Sequence, residues 1–264
     1  MPPAKLKLKK ELVLSVIMPA YKEEKTIIKD LLALEEVLRH IRLPYEIICV
    51  VDGSPDKTLK RARTIESSTI RVLSYFKNMG KGYAVRHGMT YAKGDYVALI
   101  DAGMEIDPNG ISMLLEHMEW YNADIIVGSK RHPASQVNYP FYRKMVSKVY
   151  QLFVRVFSGL NVSDTQVGLK LYKKKVIAAI LPRLLIKGYA FDLEMLAVAH
   201  RLGFTRIYEA PIKLKFSFSA LNHSVSFNYM LRAFQDTLAI IYRLRILRYY
   251  DDANKANWLR NSGA

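Results

Sequence analysis

Short apolar runs alternate with amphipathic stretches along the first half of the chain. Runs rich in β-branched residues predict buried strands at residues 12–18, 45–51, 70–75, 96–100 and 123–128. Between them, apolar residues recur at helical spacing in residues 23–41, 56–66, 80–92 and 110–121. This order predicts an α/β protein in which helices flank a mostly parallel sheet.

The second half of the chain is less regular. Long amphipathic basic helices are predicted at residues 141–157 and 227–247, and a further helix at 191–202. A loop at 162–171 leads into a short strand, and edge strands interrupted by Pro211 are predicted at 206–216. In the last helix one apolar stripe contains Phe227, Met230, Leu231, Phe234, Leu238 and Ile241. We therefore expect a basic amino-terminal segment (1–10), a main domain (11–220) and a carboxyl-terminal helix and tail (221–264).

Polar or acidic residues follow three of the predicted strands. Residues 19–24 follow the first strand, residues 52–54 follow the second, and Asp101 follows the fourth, with Glu105 and Asp107 close behind. The carboxyl ends of parallel strands share one rim of a sheet, where ligands bind. Carboxylate oxygens there suit Mg²⁺ or Mn²⁺. Any one such ending could equally be a capped turn, but three together favour a nucleotide pocket.

Charge limits the possible partners. The 264 residues include 40 Lys and Arg and 24 Asp and Glu, which gives a net charge of +16. Such an excess attracts polyanions: nucleic acid, anionic lipid headgroups or phosphorylated substrates. No nucleic-acid recognition motif accompanies the charge, so we expect no nucleic-acid partner. Cys49 is the only cysteine, which excludes a disulfide within the chain and fits a reducing compartment.

The hydropathy pattern contains no membrane-spanning segment. No apolar run reaches the ~18 residues that a spanning helix needs, and no signal-peptide core follows the basic segment 1–10. The sequence thus predicts a chain that is soluble or lies on a membrane. The two amphipathic basic helices favour a cytoplasmic protein held peripherally at the anionic cytoplasmic face of a membrane. Alternatively, their apolar stripes pack on the sheet.

The polar strand endings resemble those of the family 2 glycosyltransferases, which have the GT-A fold. The matching segments are residues 16–24, 51–58 and 78–82, Gly88, and the motif at Asp101. The second half resembles the polyprenyl- or dolichyl-phosphate hexose synthases at residues 128–130, 164–170, 188–194 and 209–212, and at Arg143 with Ser147. The resemblance covers residues 12–215 in the family's order. It implies a Rossmann-like, mostly parallel sheet with amphipathic interface helices in the second half.

The resemblance also implies roles for individual residues. The nucleotide would be bound by Pro19, Tyr21, Glu23, Asp52, Ser54, Asn78 and Lys81. Asp101 would be catalytic and would bind the Mg²⁺ or Mn²⁺ that bridges the donor diphosphate. Asp164 and Gln166 would face the reacting groups; the alternative for these residues is an Asx-type turn before the strand. The acceptor phosphate would be bound by Lys130, Arg143 and Ser147.

The metal motif departs from the family pattern. That pattern has a second acid two residues after the first and a glutamine two residues later, where this chain has Gly103 and Glu105. We predict that Glu105 supplies the missing metal ligand, because a carboxylate suits a hard cation better than an amide does. The alternative is a weakened or lost metal site.

The reaction implied by the resemblance is inverting hexose transfer. Glucose or mannose would move from a UDP- or GDP-linked sugar to polyprenyl or dolichyl phosphate, and residues 164–170 lean towards the glucose-type synthases. A phosphate monoester has a second pKa of about 6, so its attacking oxygen is already anionic and needs no strong general base. Two alternatives remain: a family 2 enzyme acting on a sugar, lipid or peptide hydroxyl, and a non-catalytic nucleotide-sugar binder.

Overall fold

The computed structural model describes residues 13–136, 159–214 and 227–262. The basic segment 1–10 and the helix predicted at 141–157 lie outside these ranges. Arg143 and Ser147, two of the predicted acceptor residues, lie outside them as well. The sheet, the first-half loops and the last long helix fall within them.

One mixed sheet forms the centre of the described structure. Its strands are β1 (Leu14–Ala20), β2 (Tyr45–Asp52), β3 (Ile70–Tyr75), β4 (Tyr96–Leu99), β5 (Ile125–Ser129), β6 (Lys170–Lys173) and β7 (Ile207–Pro211). Their order is β3-β2-β1-β4-β6-β5-β7. All paired strands are parallel except β6, which runs antiparallel to β4 and β5. The predicted mostly parallel α/β sheet is confirmed, with β7 at its edge.

Helices cover the sheet. They are α1 (Ile27–Ile41), α2 (Thr58–Arg63), α3 (Lys81–Tyr91), α4 (Gly110–Trp120), α5 (Lys174–Ile180), α6 (Phe191–Arg201), α7 (Phe227–Arg245) and α8 (Lys255–Ser262). The sequence pattern predicted all of these except α5 and α8. Both are short, at 7 and 8 residues, and so carry too few turns for a clear helical period.

The core lies on both faces of β1. Val16, Ile17 and Met18 are fully buried, and Val16 pairs with Ile47 of β2. Each such side chain contributes about 1.5–3 kcal/mol by leaving water. Cys49 lies in the same core, and burial raises the pKa of its thiol to about 12. Cys49 therefore packs in the core as a buried free thiol.

Pro19 lies inside β1, although the sequence predicts a strand that ends at residue 18. Pro19 pairs with Val50 of β2, and β1 continues to Ala20. The Ile17 carbonyl accepts a hydrogen bond from Ile100 N–H, so Ile17 and Pro19, two residues on, direct their backbone groups away from β2. Because β4 pairs with β1 only as far as Ile17, the missing N–H of Pro19 costs no sheet hydrogen bond.

The direction of β6 brings a loop to the sheet's functional rim. Lys170, the first residue of β6, pairs with Leu99 near the end of β4 and with Val127 of β5. An antiparallel strand begins where its neighbours end. Residues 164–168 therefore lie at the rim where β1, β2 and β4 end.

Helix α7 has a buried side and an exposed side. Thr237, Ile240 and Leu244 are buried where α7 packs against α6. The predicted apolar stripe, in contrast, includes exposed residues: Leu231, Phe234 and Leu238 each keep about 43–45% of their surface in water. No helix within the described ranges is both long and apolar enough to cross a bilayer. The division of the chain at residue 220 stays a prediction.

Candidate active site

A cleft of about 490 Å³ opens at the rim where β1, β2 and β4 end. The loop before α6 and one side of α7 form its opposite wall. Its lining residues are Pro19, Ala20, Tyr21, Glu23, Asp52, Asn78, Gly80, Lys81, Asp101, Ala102, Gly188, Tyr189, Arg232, Ala233 and Asp236. Every predicted nucleotide-binding residue except Ser54 is in this set, together with Asp101. The three polar strand endings thus converge, as the sequence pattern predicted.

The loop after β1 is tied to the start of α2. Glu23 N–H donates to Thr58 Oγ1 at 2.8 Å, and Lys57 N–H donates to a Glu24 carboxylate oxygen at 3.1 Å. The Glu23 carboxylate accepts a hydrogen bond from the Thr26 hydroxyl at 2.9 Å. These bonds fix the loop that carries Tyr21, whose ring is 41% exposed in the cleft. Such a ring can stack against a flat base.

Asp52 is a buried carboxylate with a complete set of hydrogen-bond donors. It accepts from Met79 N–H at 2.7 Å, from Gly80 N–H at 2.9 Å and from Asn78 Nδ2 at 3.1 Å. The residue is only 3% exposed. Its negative charge therefore holds the loop that begins α3 against the end of β2.

Ser54 lies outside the cleft lining. Its hydroxyl donates to the Asp56 carbonyl at 3.0 Å and accepts from Leu59 N–H at 3.2 Å. These bonds close the turn that begins α2, a common use of serine. Hydrogen bonds within the turn thus occupy the Ser54 hydroxyl.

Asp101 presents its carboxylate to the cleft. Its side chain is 43% exposed, and Lys81 Nζ lies 2.7 Å from both carboxylate oxygens. Burial by itself lowers the pKa of Lys81, but the Asp101 and Asp192 carboxylates raise it by more. The pKa of Lys81 is therefore raised above its usual value, and the amine stays charged. In this structure, therefore, an ammonium group balances the charge of Asp101.

A buried ion pair lies beside Lys81. Lys170 is fully buried and donates to the carboxylate of Asp192, which is 3% exposed. Asp192 also lies 3.9 Å from Lys81 Nζ. Positive and negative groups thus alternate from Lys170 to Asp101. Breaking a buried pair of this kind costs about 3–5 kcal/mol, because one charge is left uncompensated.

The loop before β6 packs directly against Asp101. A Cβ atom at residue 168 would lie 2.2 Å from Asp101 Oδ2, so any other residue there would displace the Asp101 carboxylate. The contact places the segment from Asp164 to Gly168 beside the cleft acid. Asp164 accepts from Lys130 N–H at 3.3 Å, which joins this loop to the end of β5.

Glu209 of β7 holds that loop in place. Its carboxylate accepts from Ser163 N–H at 3.0 Å, from the Ser163 hydroxyl at 2.7 Å and from Asp164 N–H at 3.2 Å. Asp164 and Gln166 belong to this loop and Lys130 follows β5, but none of the three lines the cleft. The binding of a phosphate by Lys130, Arg143 and Ser147 stays a prediction.

The donor chemistry around Asp101 fits a divalent cation shared with a ligand. Within the described ranges, no group of three or more His, Cys, Asp or Glu side chains could hold a metal ion. Mg²⁺ is commonly bound by one or two carboxylates together with substrate phosphates and water. The half-exposed Asp101 carboxylate would hold such a cation, and a bound diphosphate would supply further oxygens.

Glu105 is not brought to the cleft. Gly103 and Met104 both adopt left-handed backbone conformations, with φ of 84° and 47°. This turn buries the Met104 side chain and leaves Glu105 exposed and outside the lining of the cleft. The geometry therefore gives no support to Glu105 as a second metal ligand.

Sequence reasoning missed the wall of the cleft opposite Asp101. Gly188 and Tyr189 lie within a segment that the family resemblance matches, and Arg232 and Asp236 lie within the amphipathic helix predicted at residues 227–247. Arg232 and Asp236 are one helical turn apart and lie off the apolar stripe of α7. This polar pair is the sequence signal that could have indicated the cleft wall. The surface that the pair faces, however, depends on long-range packing.

Comparison with known proteins identifies the family. The family model described as "Glycosyl transferase family 2" matches residues 15–181. A dolichyl-phosphate beta-glucosyltransferase from Dictyostelium discoideum is 32% identical over 205 residues, which cover 72% of this chain and 63% of that protein. The protein of the same name from Drosophila melanogaster is 31% identical over 210 residues, with 72% and 64% covered. This chain thus spans less than two thirds of the length of either relative.

Solved structures agree on the fold. Glucosyl-3-phosphoglycerate synthase from Mycobacterium tuberculosis, in complex with Mn²⁺, uridine diphosphate and glucosyl-3-phosphoglycerate, superposes with a TM-score of 0.64. It is 19% identical, and the match covers 88% of this chain and 79% of that one. The architecture is therefore shared with a glycosyltransferase structure. The family model covers more than half of the chain, so the chain belongs to glycosyl transferase family 2.

Proposed function

We propose that this chain is an inverting, metal-dependent hexosyltransferase that moves glucose from a UDP-linked donor to the phosphate of a polyprenyl or dolichyl lipid. One observation carries the proposal: Gly168 packs its backbone against the Asp101 carboxylate, so the loop that begins at Asp164 lies at the edge of a nucleotide-sized cleft. Donor and acceptor groups can therefore meet beside Asp101. The names of the two curated relatives support the choice of glucose and a lipid phosphate.

The donor side follows from the cleft residues. Tyr21 and Asn78 offer a ring and an amide for the base and ribose, and Asp101 faces the place where the diphosphate would lie. When bound, Mg²⁺ or Mn²⁺ would neutralise the charge of the leaving diphosphate. A related structure contains Mn²⁺ and uridine diphosphate, which supports this choice of metal and base.

The acceptor side requires alignment more than proton transfer. Among the described residues that line the cleft there is no histidine, the commonest general base. A phosphate oxygen is largely anionic near neutral pH, so it can attack the sugar without one. Glu209 holds Asp164 N–H and so fixes the loop that we assign to the acceptor side. A hydroxyl acceptor, in contrast, would need a base at this point.

We assign the exposed apolar side of α7 to an anionic lipid surface on the cytoplasmic face of a membrane. Leu231, Phe234, Leu238 and Tyr242 are 43–52% exposed, and Arg245 and Arg248 are exposed near its end. Each basic residue near an anionic bilayer contributes about 1 kcal/mol, and the chain as a whole carries a charge of +16. We expect strong sedimentation with anionic vesicles at low salt and weaker sedimentation as salt rises. Wild type that ignores anionic vesicles would contradict this assignment.

The experiment that tests the reaction is an activity matrix. Purified protein is incubated with UDP-glucose, UDP-galactose or GDP-mannose and with polyprenyl phosphate or polyprenol, with Mg²⁺, Mn²⁺ or EDTA. We expect product only from UDP-glucose with polyprenyl phosphate, and none in EDTA. Transfer to polyprenol would favour the hydroxyl-acceptor alternative. Donor binding without transfer or hydrolysis under any condition would favour the non-catalytic alternative.

A further inference from the structure

Helix α7 contributes a polar side to the cleft as well as an apolar side to solvent. Arg232, Ala233 and Asp236 line the cleft, at positions i, i+1 and i+4 of the helix. Thr237, Ile240 and Leu244 are buried on another side. The buried side fixes the helix, so the direction in which Arg232 faces follows from packing.

Arg232 differs from Lys81, the other basic residue among those described in the cleft lining, in its partners. The acids that line it are Glu23, Asp52, Asp101 and Asp236, and the cations are Lys81 and Arg232. Lys81 is engaged by Asp101 at 2.7 Å and by Asp192 at 3.9 Å. Across the ranges that the structure describes, no acidic side chain forms an ion pair with Arg232.

Asp236 does not neutralise Arg232, although it lies one turn away. No hydrogen bond or ion pair joins the two residues, and burial raises the pKa of Asp236 despite the opposing effect of Arg243. Its carboxylate instead lies beside the backbone of Gly188, where an added Cβ would be 3.1 Å away. Among the described residues, the Arg232 guanidinium therefore keeps its hydrogen-bonding capacity for a ligand.

We propose that Arg232 is a phosphate-binding residue of the cleft and so a specificity-determining residue for the reaction. The inference rests on the proposed function and adds a role for α7. A guanidinium can donate two parallel hydrogen bonds to phosphate oxygens, which the compact ammonium of Lys81 cannot do. The phosphate comes from either the donor diphosphate or the lipid acceptor, and the experiment separates these sources.

The test measures binding as well as turnover. Calorimetry with uridine, UMP and UDP in the presence of Mg²⁺ compares wild type with Arg232→Gln and Arg232→Lys. The matched control is Arg260→Gln, because Arg260 is an exposed arginine of α8 outside the cleft. A second arm measures the KM for a short-chain polyprenyl phosphate at saturating donor.

If the donor supplies the phosphate, Arg232→Gln weakens UDP binding by about 10- to 100-fold, leaves uridine binding unchanged and loses less affinity for UMP. If the acceptor supplies it, UDP binding is unchanged and the acceptor KM rises by a similar factor. Arg232→Lys lies between wild type and Arg232→Gln, and the Arg260 control matches wild type.

Three results would overturn the inference. The first is that Arg232→Gln has normal UDP affinity and a normal acceptor KM while wild type transfers sugar, in which case only the role of Arg232 fails. The second is an equal loss of uridine and UDP affinity, which would mean that the variant changes the shape of the cleft. The third is a wild type that binds none of the nucleotides, which would reject the inference together with the proposed function.

Discussion

Asp52 and Asp101 each lie at the end of a strand on the same rim of the sheet, but their surroundings differ. Asp52, at the end of β2, is 3% exposed and accepts three hydrogen bonds from the loop at residues 78–80. Asp101, after β4, is 43% exposed, and its carboxylate forms an ion pair with Lys81. In sequence they give the same signal, an acid that follows a buried strand.

The contrast distinguishes an acid that fixes a loop from an acid that can bind a ligand. Backbone N–H donors satisfy a carboxylate permanently, because they cannot move away without unfolding the loop. A lysine ammonium at the end of a flexible chain can exchange for another cation. A carboxylate held by backbone N–H groups therefore has a fixed position, whereas one held by a lysine at a cleft can exchange its partner.

The same substitution at both acids gives the sharpest contrast, and Asp101→Asn has the larger effect. We expect transfer to fall about a thousandfold or more, equivalent to about 4 kcal/mol in the barrier. Mn²⁺ titration followed by electron paramagnetic resonance, in the presence of UDP, should show weakened metal binding. The free energy of unfolding should change by less than about 1 kcal/mol, because Asp192 still pairs with Lys81. Full activity with normal Mn²⁺ binding would remove Asp101 from the site.

Asp52→Asn should instead act on stability. The new amide N–H₂ group would face the N–H donors of Met79 and Gly80, so at least one buried donor loses its acceptor. We expect a loss of about 2–3 kcal/mol in the free energy of unfolding, measured by urea denaturation at unchanged slope. Stability equal to that of wild type would show that the loop does not depend on this carboxylate.

Asp124, next to the start of β5 at the opposite rim, extends the comparison to pH. Burial raises its pKa, but hydrogen bonds from Arg206 and Lys175 outweigh that effect and lower the net pKa. A lowered folded-state pKa stabilises the protein above the unfolded-state value of about 3.9, and this contribution is lost as pH falls through the folded-state value. Asp124→Asn should thus cost about 1–2 kcal/mol at pH 7.

The measurement for Asp124→Asn is a series of urea unfolding curves from pH 7 downwards. The difference from wild type should stay constant above about pH 4 and shrink in more acidic solution. A difference that stays constant throughout would mean that packing, not charge, explains the loss. Arg206 and Lys175 are 42% and 55% exposed, so solvent screens the pairs and limits their contribution.

Glu105→Gln should have the smallest effect of the four. Its side chain is exposed and outside the cleft lining, so we expect activity within about twofold of wild type. Unfolding free energy should change by less than about 0.5 kcal/mol. A loss comparable to that of Asp101→Asn would restore Glu105 as a metal ligand and show that the turn at Gly103 rearranges on binding.

The strands, their order in sequence and the convergent rim could be predicted from the chain. Apolar runs are a local signal, and their polar endings mark the positions where the sheet stops. The antiparallel direction of β6 could not be predicted, because a run of four residues carries no information on direction. The pairing of Lys170 with Leu99 and Val127 is a tertiary property.

Side-chain roles were harder to predict than positions. Ser54 and Asn78 both follow strands, yet the hydroxyl of Ser54 closes a turn and Asn78 lines the cleft. In the sequence, Arg232 is one of several basic residues of a predicted amphipathic helix. Only the packing of α7 on α6 places it in the lining of the cleft. The acceptor roles of Lys130, Arg143 and Ser147 stay predictions.

The participation of α7 in the cleft has a consequence for biosynthesis. During translation the strands that carry Asp52 and Asp101 emerge long before residues 232–236, and domains tend to fold as they emerge. A nascent chain can therefore bring the two acids together while one wall of the cleft is still absent. Nucleotide capture would have to wait until residues 232–236 have left the ribosome, so shorter nascent chains would not sequester donor.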